Sequence, residues 1–203
     1  ADVNFLLETI EKSATKSSPT IQVYKGDALY FRALMYYQLV TRWGGVPLLK
    51  ARTFEAAQRS TEAEIWAFIM DDLKTAETLL GDVSNKFFVS KQAAQSLLAR
   101  VYLDNGDKTN AIAYADLVIN SNKFALTTDA NGFASNFIAN TTGKEVIFAF
   151  VNSNVNSRKL FYASVNDVDP TWNYSPTISL FTNLYNNAPN RVGDKRKIAV
   201  FST

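Results

Sequence analysis

Apolar residues recur with the 3.6-residue period of an α-helix through the first 120 or so positions of the chain. Val3, Leu6, Leu7, Ile10 and Ala14 share one face of a first helix, with Glu8 and Lys12 paired at i,i+4 on its outer side, and Ser17-Ser18-Pro19 ends it. Residues 25–50 carry the densest pattern. Leu29, Ala33, Tyr36, Val40 and Trp43 form one stripe, and Tyr30, Phe31, Leu34, Met35, Tyr37 and Leu39 are large and apolar on the remaining faces. A helix apolar nearly all round is a buried one, so this is predicted to be the central helix of an all-α core. Its rings Tyr30, Phe31, Tyr36, Tyr37 and Trp43 are then core, not a ligand platform. Gly26-Asp27 reads as breaker and N-cap, Gly44-Gly45 as the stop, and Pro47 holds Val46 extended.

Thr61 and Glu64 have the spacing of a capping box, and behind them Ile65, Ile69, Leu73, Ala76 and Leu80 make the buried stripe of the next helix. Ser90 caps another, with Ala94, Leu98, Val101 and Tyr102 facing inward. Asp104-Asn105-Gly106-Asp107 turns the chain into a helix carrying Ala111, Ala115, Val118 and Ile119. Leu98, Ala99, Tyr102, Gly106, Ala111 and Ala115 stand at the offsets of a tetratricopeptide repeat, in which small residues let paired helices approach and the ring fills the space between them. Two helix pairs, 27–80 and 90–121, are predicted to stack in repeat fashion.

The pattern changes after that. Residues 127–143 are rich in Thr, Asn, Gly, Ser and Ala and read as a long surface loop; residues 145–151 are a short β-rich run that pairs with 159–165 as a hairpin. Ser175-Pro176 opens a helix with Ile178, Phe181, Leu184 and Tyr185. The reading is therefore mainly α, with tetratricopeptide-like helical repeats over residues 1–126. A loop-rich segment with a small β hairpin and a helix follows over residues 127–203.

Composition narrows the chemistry. The 203 residues include no cysteine and no histidine, which removes the thiol nucleophile, the thiolate metal site, the commonest general base and the commonest metal ligand. A net charge of +2 with Lys195-Arg196-Lys197 as its one dense basic cluster argues against nucleic-acid binding. No run reaches the roughly 20 apolar residues of a membrane span, and no secretory leader is visible, so either the protein is soluble or leader and anchor lie outside this sequence.

The tract Arg32-Ala33-x-x-Tyr36-Tyr37-x-Leu39, running into Gly44-Gly45-Val46-Pro47-Leu48, resembles the signature of the SusD-like (RagB-like) family of outer-membrane glycan-binding lipoproteins. Four other segments agree in order: the opening helix; Asp72-Leu73-x-x-Ala76; Ala93-Ala94-x-x-Leu97-Leu98-Ala99-Arg100-Val101-Tyr102-Leu103 with Gly106-Asp107 and Phe124-x-Leu126; and Glu145-Val146-Ile147-Phe148 with Asp194-x-Arg196. The resemblance implies non-catalytic capture of oligosaccharides at the surface of a Bacteroidetes outer membrane. It also implies delivery to a SusC-like TonB-dependent transporter, and attachment through a lipid anchor not present in this chain. The alternative is a soluble tetratricopeptide-type scaffold that holds another protein.

The candidate ligand contacts are Trp172, Asn173 and Tyr174, in a polar loop outside any apolar period. Aromatic rings there suit the C–H faces of sugars, and an amide suits their hydroxyl groups; the competing reading has a ring fold back over the helices. Arg32 and Arg100 are expected to pair with carboxylates or carbonyls, and Asp194 with Arg196. Asn166-Asp167-Val168-Asp169 lacks the spacing of an EF-hand loop and reads as a turn before Pro170. The carboxylates Asp71, Asp72, Glu62 and Glu64 read as solvated helix charge instead of an acid–base pair. No metal, no cofactor and no catalytic residue is expected.

Overall fold

Pro19 starts the longest helix, eight residues before Asp27. In the computed structural model, which describes residues 2–53, 55–128 and 143–150, the chain forms α1 (Asp2–Lys12), α2 (Pro19–Trp43), α3 (Glu62–Leu79), α4 (Lys91–Asp104) and α5 (Lys108–Asn120). Proline has the φ of a first helical turn and no N–H to leave orphaned, so Ser18-Pro19 makes the entry although the Ser18 side chain makes no capping bond. Gly26-Asp27 is therefore not the breaker expected of it. Gly26 is there for contact: a Cβ at that position would stand 2.9 Å from Leu80 Cγ and 3.2 Å from Leu79 Cβ. Its bare backbone lets the end of α3 lie against α2.

The other ends follow their local chemistry. At α3 the Thr61 hydroxyl accepts from Glu64 N at 3.3 Å, while Glu64 accepts from Thr61 N at 2.8 Å, a complete capping box. Ser90 accepts from Ala93 N to open α4, Asp107 accepts from Asn110 N to open α5, and Gly106 takes φ +85° between them.

The helices pack as successive antiparallel neighbours, α1 on α2, α2 on α3, α3 on α4 and α4 on α5. The core lies where α2, α3 and α4 meet. Ile65, Ile69, Leu73 and Leu98 are wholly buried there, with Ala33, Ala76 and Ala94 permitting close approach. Tyr102 is buried, stacked on Tyr114 at 5.5 Å between rings, with Lys74 above it. Two inward assignments fail. Trp43 is 58% exposed and Ile119 68%; α5 packs on α4 alone among the described helices, which leaves its Ile119 side uncovered there. Met35 and Leu39 are exposed as well, so α2 is buried on the Leu29, Ala33, Tyr36, Tyr37 and Val40 side and not all round.

Residues 145–150 are no paired strand, and the hairpin partner 159–165 lies outside the described residues. The described part of this run is a turn at Lys144-Glu145 followed by a strap without regular secondary structure. Ala149 N donates to Lys86 O at 2.9 Å, and Phe148 sets its ring edge-on to Tyr30 and Phe31. Among the described residues the one β feature is a bridge between Pro47 and Arg59. Ile147–Ala149 belong with the helices in one compact unit, and the described residues 125–128, 143–146 and 150 to another. In the second, Glu145 accepts from Thr127 N at 2.7 Å and also from its hydroxyl, which holds the carboxyl below its ordinary range.

Candidate functional site

Arg32, placed near the middle of α2, is the hub of a buried polar cluster. Its Nε and Nη2 donate to the two oxygens of Asp72 on α3, both at 2.7 Å, in the planar fork that guanidinium and carboxylate share. Nη1 donates to Asn4 Oδ1 on α1 at 3.0 Å, and Asn4 Nδ2 donates on to the Leu49 carbonyl at 2.8 Å. The guanidinium lies 4.7 Å above the Phe68 ring. Burial pushes the Asp72 carboxyl up, and Arg32 opposes that by holding the charged form. Leu49 N donates to the Tyr36 hydroxyl at 2.7 Å, so the segment after Pro47 is pinned over the same cluster. Each of the three guanidinium nitrogens has a protein acceptor. The cluster joins α1, α2, α3 and the strap at 47–51, and it is structural.

The turn after α2 is equally specific. Gly44 has φ +65°, and a Cβ on Gly45 would overlap the Ser60 carbonyl oxygen. Arg59 donates to the carbonyls of Trp43 and Gly45, and Ser60 N donates to Val46 O at 3.0 Å. The glycine pair thus lets the start of α3 close against the end of α2.

Of the four carboxylates considered for acid–base work, Asp71 is exposed as expected, Asp72 is buried and not solvated, and three have structural partners. Asp72 holds Arg32, Glu62 accepts from Trp66 Nε1 at 3.1 Å, and Glu64 closes the capping box. No group of His, Cys, Asp and Glu suited to a metal ion occurs among the described residues, and no helix there is long and apolar enough to cross a membrane. Trp172, Asn173 and Tyr174 lie outside the described residues, as do Asn166–Asp169, Asp194 and Arg196.

Sequence reasoning missed a groove of about 480 Å³ between α1 and α2, lined chiefly by apolar side chains including Leu6, Ile10, Tyr24 and Phe31. Asp27 also lines it, and its Oδ1 is buried with no hydrogen-bond partner. Burial raises the Asp27 carboxyl above its ordinary value. The helical periods of α1 and of residues 19–31 carried the signal, but reading Asp27 as a cap concealed it.

Residues 1–103 match the family profile described as starch-binding and associating with the outer membrane, SusD-like. The chain belongs to the SusD-like family. It is 32% identical over 137 residues to SusD-like protein P2 of Formosa agariphila, covering 63% of this chain and 27% of that protein. The chain thus spans about a quarter of the length of the curated SusD-like relatives it matches. Among solved structures, a SusD superfamily protein from Bacteroides thetaiotaomicron is similar, with a TM-score of 0.64 and 25% identity over 73% of this chain and 36% of that one. A laminarin-binding SusD-like protein has the same TM-score at 24% identity, over 72% of this chain and 34% of that one, and shows a common fold. As far as Phe148 the SusD-like segments quoted from the sequence fall on α1, α2 with the turn after it, α3, α4 with the turn into α5, and the non-helical residues 124–126 and 145–148, and the Arg32 cluster and the Gly44-Gly45 turn explain why the first of them has its residue types.

Proposed function

We propose that the complete protein captures oligosaccharides at the cell surface, without cleaving them, and passes them to a SusC-like TonB-dependent transporter. The observation that carries this reading is the family match over residues 1–103, whose description couples starch binding to the outer membrane. The laminarin-binding relative of the same fold supports a β-glucan as one ligand class to try first. A non-catalytic role is supported by the absence of cysteine and histidine and by the structural engagement of Asp72, Glu62 and Glu64. Attachment to the outer membrane would be through a lipid anchor.

Within the chain, Trp172, Asn173 and Tyr174 are the contacts we assign to the sugar, because stacking needs a flat apolar face beside an amide. Calorimetric titration of the complete protein with laminarin-derived and starch-derived oligosaccharides tests both points. Trp172→Ala should weaken binding with an unchanged melting midpoint, and Trp172→Phe should retain more of it. No release of shorter sugars should accompany binding. Parent-like binding by both variants would move the site elsewhere, and sugar cleavage would overturn the non-catalytic reading.

A further inference from the structure

The groove between α1 and α2 is walled by two helical stripes. Val3, Leu6 and Ile10 lie along α1 at spacings of three and four, and Tyr24, Ala28 and Phe31 along α2 at four and three. Such stripes are the two sides of a knobs-into-holes seam, and side chains from a third helix fit between them. The rim is open, with Leu6 44% and Tyr24 52% exposed. Asp27 stands on the α2 wall, its Oδ1 buried and unpartnered. Lys25, two residues away in the chain, is engaged elsewhere, 2.6 Å from Glu11. A buried acceptor of this kind calls for a donor, and a carboxylate is best satisfied by a cationic one.

We propose that this groove docks a helix of a partner polypeptide that lays apolar side chains along the two stripes and points a lysine or arginine at Asp27. The alternatives fit less well. A glycan would leave its hydroxyl groups without partners on an almost wholly apolar lining. A second copy packed through the same face about a two-fold axis would bring two Asp27 carboxylates toward each other, where like charges repel.

The test is fluorescence anisotropy on the full chain with three blocked, labelled helical peptides of about four turns. They share leucines at i, i+3, i+4 and i+7 and differ at one central position, Lys, norleucine or Glu. The Lys peptide should bind about tenfold more tightly than the norleucine peptide, a difference of about 1.4 kcal/mol, with the Glu peptide weakest. Asp27→Asn should abolish the ranking while retaining the norleucine affinity, and Leu6→Asn at the rim should weaken all three. Should Asp27→Asn not fold by circular dichroism, the Lys-over-Glu preference of the parent should still shrink as salt is added. Equal binding of the three peptides, no binding of any, or a ranking that survives Asp27→Asn would overturn the proposal. So would octylammonium binding as tightly as the Lys peptide, or a dimer in sedimentation that Leu6→Asn dissolves.

Discussion

Gly45 shows how a single missing Cβ decides a turn. Its backbone sits against the Ser60 carbonyl, so Gly45→Ala should displace that segment and cost about 1–3 kcal/mol, the range for overpacking. Gly81 has nothing within 4 Å of the same position, and Gly81→Ala should stay within about 0.5 kcal/mol. Urea midpoints of the two variants check the contrast, and a reversed order would refute it. Asp27 sets a second residue-scale expectation. Its carboxyl is raised above 3.8 by burial, so between 3.8 and the folded value the folded state holds more protons than the unfolded one. Stability is therefore lost as pH rises through that window, and the penalty is complete above it. In the absence of any peptide, Asp27→Asn should match the parent at pH 3 and exceed it in melting midpoint at pH 7. A gap that instead widens toward low pH would show the sign to be wrong.

Between elements, the decisive contacts are polar. Arg32 joins α2 to Asp72 on α3 and to Asn4 on α1, so three helices depend on one guanidinium. Arg32→Ala would leave Asp72, 3% exposed, as an uncompensated buried charge, and should cost about 3–5 kcal/mol. Replacing both partners, as Arg32→Met with Asp72→Leu, should recover most of that loss. Chemical denaturation of the single and double variants gives the comparison, and equal losses in both would assign the cost to packing instead of charge. Arg32→Lys should fall between them, since a lysine supplies the charge without the fork. The boundaries of α3, α4 and α5 were legible because Thr61, Ser90 and Asp107 act through their own next turn. That of α2 was not, because Gly26 answers to Leu79 and Leu80, more than fifty residues away.

At the scale of the whole molecule, the chain is a run of antiparallel helices from a family whose curated members matched here are several times longer. Trp43, Ile119 and the α1–α2 groove are apolar places where no further helix lies among the described residues. Local pattern was enough to determine the helical class, the inward stripe of α3, the capping box, the repeat-like pairing of α2 with α3 and α4 with α5, and membership of the family. Each of these depends on residues a turn or two apart, or on their order along the chain. What the tertiary structure alone decided was which apolar faces find a neighbour. Periodicity marks Leu29 and Trp43 alike as members of one stripe, yet the first is 6% exposed and the second 58%. Likewise nothing local distinguishes an aspartate that caps a helix from one stranded on a groove wall. The difference at Asp27 is made by α1, which packs beside it and leaves its oxygen buried without a donor.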